Sequence, residues 1–269
     1  MSVSSFALVN VLVKLMPEIP AHELIFFRSV VSLVFCVIHI RILNIPMLGN
    51  NKLWLVIRGL CGIVALTLFF LTIKHMPLAS ATTIQYLSPI FTVILAVFMN
   101  QQKIRSIQLV FFAIAFVGVI FIKGFDDRVS LLWLAIGVLS AFFAGLAYNA
   151  IIKCRNTDHP VVVVLYFPLL AIPVMGIWSY FDWVQPQGIQ WLWLFAMGAF
   201  TQLAQIAMTK ALHLEHASKI TPYKYIGSFY ALTFGFFIFQ ERLHWISLIG
   251  IAMVIVGVVL NSRVKAQSN

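Results

Sequence analysis

TTIQYLSPIFTVILAVFMNQQKIRSIQLVFFAIAFVGVIF (Thr82 to Phe121) lies without a gap on TPYKYIGSFYALTFGFFIFQERLHWISLIGIAMVIVGVVL (Thr221 to Leu260) at a shift of 139, with identities at 10 of 40 positions. The shift holds elsewhere. Asn10 and Lys14 meet Asn149 and Lys153, while Leu53, Trp54, Leu55, Gly59 and Ala65 meet Leu192, Trp193, Leu194, Gly198 and Ala204. Each copy holds five apolar runs, and an odd number of membrane crossings obliges the second copy to lie upside down relative to the first. Inverted repeats of this kind are a common build of secondary transporters.

Composition places both copies in a bilayer. Hydrophobic residues make up 62% of the 269 and charged residues 10%, far from the roughly 45–50% and 25% of soluble domains. The formal net charge of +10 is spread over the ends of apolar runs instead of forming a patch, which argues against nucleic acid as a partner. Cys36, Cys61 and Cys154 have neither metal-ligand nor redox spacing and are expected to be free thiols. No metal and no cofactor is expected.

Apolar runs set against charged, Pro or Gly breaks predict an all-α membrane protein with ten spans: 2–16, 24–40, 53–73, 77–99, 106–122, 130–152, 161–180, 189–212, 217–239 and 244–261. No soluble domain interrupts them. The predicted units are residues 1–127 and, inverted, residues 128–269. With the N-terminus in the cytoplasm, the inner loops and tail carry Arg41, Lys52, Lys103, Arg105, Lys153, Arg155, Lys219, Arg263 and Lys265, against Lys74, Lys123, Arg128 and Arg242 outside. That excess predicts both termini inside. The first span reaches only about 22 Å against the ~30 Å of the hydrocarbon. The repeat register places about ten residues in its counterpart that it lacks, as a late start or a trimmed chain would produce; the alternative is a genuinely short helix, tilted or in a thinned membrane.

The segments FFRS (Phe26 to Ser29), RGLCG (Arg58 to Gly62), MPLASATTIQYLSPIF (Met76 to Phe91) and TPYKYIGSFYALTFGFFIFQERL (Thr221 to Leu243) together resemble the EamA-type branch of the drug/metabolite transporter superfamily. The PYKY segment ending in FQE is similar to a subgroup that includes bacterial S-adenosylmethionine uptake transporters. The resemblance implies ten helices in two inverted halves around a central cavity, and a bacterial inner-membrane location. The chain departs from the family in having Gln102 where a glutamate often ends the fourth helix, with Glu241 kept in the second copy.

An ionisable group inside a span costs around 2.5–3.5 kcal/mol near its centre on insertion scales. Lys14, Arg28, Arg58, Lys210 and Lys224 fall within the predicted spans and no Asp or Glu does, so a carboxylate proton relay is not expected. Lys14 and Lys210 lie near helix ends, where their stems can reach the headgroups. Arg28 and Arg58 sit about one turn in, where hydrogen bonds to carbonyls of neighbouring helices compete with substrate contact. Lys224 lies deepest. On its helix Thr221, Tyr225 and Ser228 share a face, and Thr82, Tyr86 and Pro89 share the matching face of the fourth. Tyr86 and Tyr225 are repeat mates, as are Gln85 and Lys224. These residues, with Asn10, Asn149 and Arg58, form the predicted substrate-binding set, and Pro89 the predicted kink or gate. The tyrosines and asparagines could equally serve as hydrogen bonds between helices.

The expected function is alternating-access transport of a small organic metabolite that is amino-acid-like or S-adenosylmethionine-like and bears a carboxylate to match the cationic lining. Its expected partners are that substrate and the lipid bilayer, with a homodimer as an option. The alternatives are a non-transporting scaffold or receptor and, with less support, an intramembrane enzyme. The spans hold no paired acids, no His/Asp cluster and no nucleophile setting of the GxSxG type, so the chain is not expected to be an enzyme.

Overall fold

Long apolar runs in a bilayer must satisfy their backbone internally, and helices do so within one segment. The computed structural model describes residues 1–100, 106–123, 128–214 and 226–264, and all regular structure among them is helical. In chain order the helices are α1 (Ser2–Leu15), α2 (Ala21–Leu43), α3 (Lys52–His75), α4 (Leu78–Gln85), α5 (Ser88–Asn100), α6 (Ser106–Lys123), α7 (Leu131–Lys153), α8 (Pro160–Phe181), α9 (Gln190–Leu214), α10 (Ile226–Phe237) and α11 (Trp245–Arg263). Among the described residues seven stretches are long and apolar enough to cross a membrane, counting Leu78–Met99 as one, and Ser2–Leu15, Ser106–Ile122 and Ile226–Phe237 are shorter apolar helices.

Local chemistry explains where these helices stop. Ser130 accepts from the Trp133 N–H at the start of α7, and His159 Nδ1 accepts from the Val161 N–H at the start of α8, with Pro160 in the first turn. Burial and nearby His39 and Lys210 hold the His159 imidazole below its usual pKa, so neutral Nδ1 is free to accept. Asn44, left-handed at φ 51°, ends α2. The fourth crossing is broken at Tyr86 and Leu87, where the Tyr86 and Leu87 N–H groups turn back to the Thr83 and Ile84 carbonyls at 3.0 Å each. Pro89 has no N–H to give the Gln85 carbonyl, so the α-helical ladder lapses there into tighter turns.

Hydrogen bonds gather the connections at two ends. At one end Lys74 donates to the Met16, Pro17 and Ile19 carbonyls, Glu23 accepts from the Val184 N–H, Glu18 accepts from Gln190, and Arg128 donates to the Arg242 carbonyl. At the other, Asp158 accepts from the Asn50 and Asn51 N–H groups, Tyr166 donates to the Leu48 carbonyl, and Lys153 donates to the Met99 carbonyl. The connections after α1, α3, α6, α8 and α10 therefore share one end, and those after α2 and α7 the other. Cys154, one of three free thiols, sits beside this second group; burial and Asp158 push it up to about 12.

Helix bounds and packing both recur at the shift of 139. Adding it to Ala21–Leu43 gives 160–182, against Pro160–Phe181 for α8, and adding it to Lys52–His75 gives 191–214, against Gln190–Leu214 for α9. α3 packs on α7 as α1 packs on α9, and α2 packs on α8 and α6 on α11. A Cβ at Gly118 would lie 2.7 Å from the Gly250 carbonyl, and one at Gly257 would lie 2.7 Å from the Phe111 carbonyl. The shift exchanges these two contacts.

Candidate functional site

Where α1 to α5 and α7 to α10 face one another they line a cavity of about 190 Å³. Aromatic and small side chains make most of its wall, among them Phe6, Phe69, Phe70 and Phe167. Its polar lining is Ser2, Asn10, Arg28, Arg58, Thr82, Gln85, Tyr86, Ser88, Tyr148 and Gln205. No Asp or Glu lines it among the described residues.

Two arginines dominate its electrostatics. Arg28, on α2, is 2% exposed, and its guanidinium lies 5.1 Å from the Phe167 ring centre and 5.9 Å from that of Phe70. It donates no hydrogen bond to any described residue, and its buried Nε is left unpartnered. Arg58, on α3, lies 5.5 Å from the same Phe167 ring and donates to Gln205 Oε1 at 3.1 Å, while its own Nε is unpartnered. Gly62, one turn on, makes the room: a Cβ there would lie 2.5 Å from Arg58 Nη1. The expectation that these arginines bond to carbonyls of neighbouring helices is corrected. Among the described residues aromatic faces hold them instead, with Gln205 as Arg58's amide partner, because the facing helices bring Phe70 and Phe167 against the guanidinium groups.

The structure brings together several of the predicted residues. Asn10, Arg58, Thr82, Gln85 and Tyr86 all line the cavity. Thr82 spends its hydroxyl on the Leu78 and Ala79 carbonyls. Gln85 Oε1 lies 2.9 Å from Ser140 Oγ, tying α4 to α7 beside the break before Pro89. Tyr86 reaches across to α10, where its hydroxyl occupies the space a side chain at Gly227 would need. Ser228 is buried next to Gly227 without lining the cavity. Asn149 lies away from it, 1% exposed, and donates to the Thr92 and Gly145 carbonyls, so its amide joins α7 to α5. Thr221, Lys224 and Tyr225 lie outside the described residues, as does Gln102.

Lys14 is also corrected. It does not reach for headgroups; it forms an ion pair with Glu241 and donates to the Met76 carbonyl at 2.7 Å. Glu241 in turn accepts from the Leu78 N–H at 2.8 Å, capping α4. Lys210, by contrast, is exposed on α9. Arg28, Tyr148, Gln205 and Phe167 were not among the predicted site residues. One signal was there to be read: Arg28 and Phe167 are mates at the shift of 139, and mates that touch lie where the two copies meet.

The profile of the EamA-like transporter family matches residues 1–124 and again residues 131–263. The chain belongs to that family. This EamA-like transporter is 28% identical over 268 residues to the pseudopaline exporter CntI of Pseudomonas aeruginosa (strain UCBPP-PA14), covering 97% of the chain and 93% of the relative. It is 26% identical over 227 residues to the S-adenosylmethionine uptake transporter of Rickettsia felis, covering 80% and 72% respectively. A solved crystal structure superposes on it with a TM-score of 0.68 over 95% of this chain and 94% of the other, at 15% identity, which establishes the shared fold. It is a multi-pass membrane protein of a transporter family, and the relatives named here are transporters by name.

Proposed function

We infer that the chain is a secondary transporter of a small organic metabolite bearing a carboxylate, with amino-acid-like and S-adenosylmethionine-like compounds as the first candidates. The observation that carries this reading is the central cavity, which takes its lining from both copies of the repeat and holds two arginines but no described carboxylate. A buried positive charge in an apolar bundle is tolerated when it meets an opposite charge or water, and a substrate carboxylate would supply one. Ten crossings as two inverted five-helix repeats, 1–127 and 128–269, are supported by the alternation of connections between two ends and by contacts that the shift of 139 exchanges. Alternating access then has one set of helices rocking against the other around the cavity, with the break before Pro89 absorbing bending. The proposed location is the bacterial inner membrane with both termini cytoplasmic.

Labelled amino acids and S-adenosylmethionine offered to proteoliposomes test the reading: accumulation above protein-free vesicles is expected, and its absence for every solute would sink it. Lys224, the repeat mate of cavity-lining Gln85, is kept as a substrate contact. Lys224→Met should lower uptake by a factor of ten or more, the effect of about 1.4 kcal/mol of lost binding, whereas Lys210→Met should change little.

Inversion has its own check. Single cysteines at Gln102 and at Arg242, in an otherwise thiol-free chain, should react with an impermeant reagent from opposite sides of the membrane. Labelling of both from one side rules inversion out.

A further inference from the structure

The geometry points to a two-point anion site in which Arg28 and Arg58, set around the Phe167 ring, each hold one carboxylate of a substrate with two carboxylates and an apolar body. This rests on the transport reading and adds the substrate's charge and shape to it.

The two guanidinium groups share one aromatic ring, at 5.1 and 5.5 Å, and line one cavity. Cation–π contact compensates a buried guanidinium only in part. A carboxylate presents two acceptors in the spacing of the guanidinium fork and so compensates much more. Arg28 makes no hydrogen bond among the described residues and is nine-tenths buried, so its donors are free for a ligand in the cavity. Arg58 spends one donor on Gln205 and keeps the rest. Among the described residues no lining Asp or Glu offsets either charge. A monoanion would neutralise one guanidinium and leave the other buried beside it with a net charge. A dianion would neutralise both. Polar groups such as Asn10, Gln85 and Tyr148 share the wall, but most of the rest of it is apolar, with Phe6, Phe69, Phe70, Leu66 and Met208 offering dispersion contacts, so the body joining the two carboxylates is matched best by one that is largely apolar or aromatic.

The test uses the full-length chain purified in detergent and two probes of matched bulk: benzylsuccinate, with two carboxylates, and 4-phenylbutyrate, with one. Benzylsuccinate should raise the melting midpoint by mass action and bind at least ten times more tightly than 4-phenylbutyrate. Arg28→Gln should abolish that preference, and Lys210→Met should keep it. If R28Q is not monodisperse, R58Q carries the same comparison, since Gln205 and Gly62 leave space for the shorter amide. Equal affinities for the two probes, an unchanged preference in the arginine variants, or no binding of benzylsuccinate to folded protein would each overturn the site. Proteoliposome uptake separates this from the transport reading. Uptake that ignores both R28Q and R58Q leaves transport standing and removes the site; benzylsuccinate binding through Arg28 with no uptake of any solute does the reverse.

Discussion

Glu241→Gln should lower the melting midpoint of the purified protein by several degrees, and a second change, Lys14→Met, should restore much of the loss. The Lys14 and Glu241 side chains are 17% and 10% exposed, so the pair is largely desolvated. Taking one charge from a buried pair strands the other and costs about 3–5 kcal/mol, whereas removing both is often neutral. Glutamine keeps an acceptor for the Leu78 N–H, so the cap on α4 survives and the loss isolates the charge. Because Lys14 is on α1 and Glu241 follows α10, the cost falls on contact between the two copies of the repeat at one membrane face. A double-mutant cycle on thermal midpoints reads the coupling directly. Additive effects of the two changes would mean that the pair does not hold these segments together.

Gly250→Leu should leave little or no monodisperse protein, while Val256→Leu on the same helix should behave like the parent. A Cβ at Gly250 would lie 2.6 Å from both the Gly118 carbonyl oxygen and the Ile122 backbone nitrogen. These are main-chain atoms, so no side-chain rotation can relieve the clash; α6 and α11 must move apart. Overpacking usually costs 1–3 kcal/mol, and separating two helices along their length adds the contacts they lose, so about 3 kcal/mol is a lower bound. In a bilayer, close helix approach of this kind replaces the hydrophobic driving force that lipid cancels. Val256 is 49% exposed and has room for another methylene. Size-exclusion profiles and melting midpoints of the two variants provide the comparison, and a parent-like G250L would show that the helices are not held this closely.

Much of the architecture could be read one residue at a time. Span positions come from length and hydropathy, and the described helix bounds fall within about three residues of the predicted spans, apart from α10 (Ile226–Phe237), since residues 215–225 lie outside the described ones. The break at Tyr86 and Leu87 was signalled by Pro89, which acts through its missing N–H whatever surrounds it. The free thiols followed from spacing. Of the predicted binding set, Asn10, Arg58, Thr82, Gln85 and Tyr86 reach the cavity, because polar residues in mid-span have few places to go except the bundle interior.

The partners of those residues could not be read in the same way. Nothing near Lys14 in the chain foretells Glu241, 227 positions away, nor does FFRS disclose that Arg28 rests on Phe70 and Phe167 with no hydrogen bond to any described residue. In a soluble protein the polar face of each helix points to water and fixes its rotation; in a membrane both lipid and the interior are apolar, so hydropathy locates a helix without orienting it. The repeat, the ten apolar runs and the cationic bias were therefore properties of the sequence itself. Which side chains meet, and so where the unbalanced charge of Arg28 and Arg58 gathers, was decided only when the helices packed, since rotation about each helix axis is set by its neighbours.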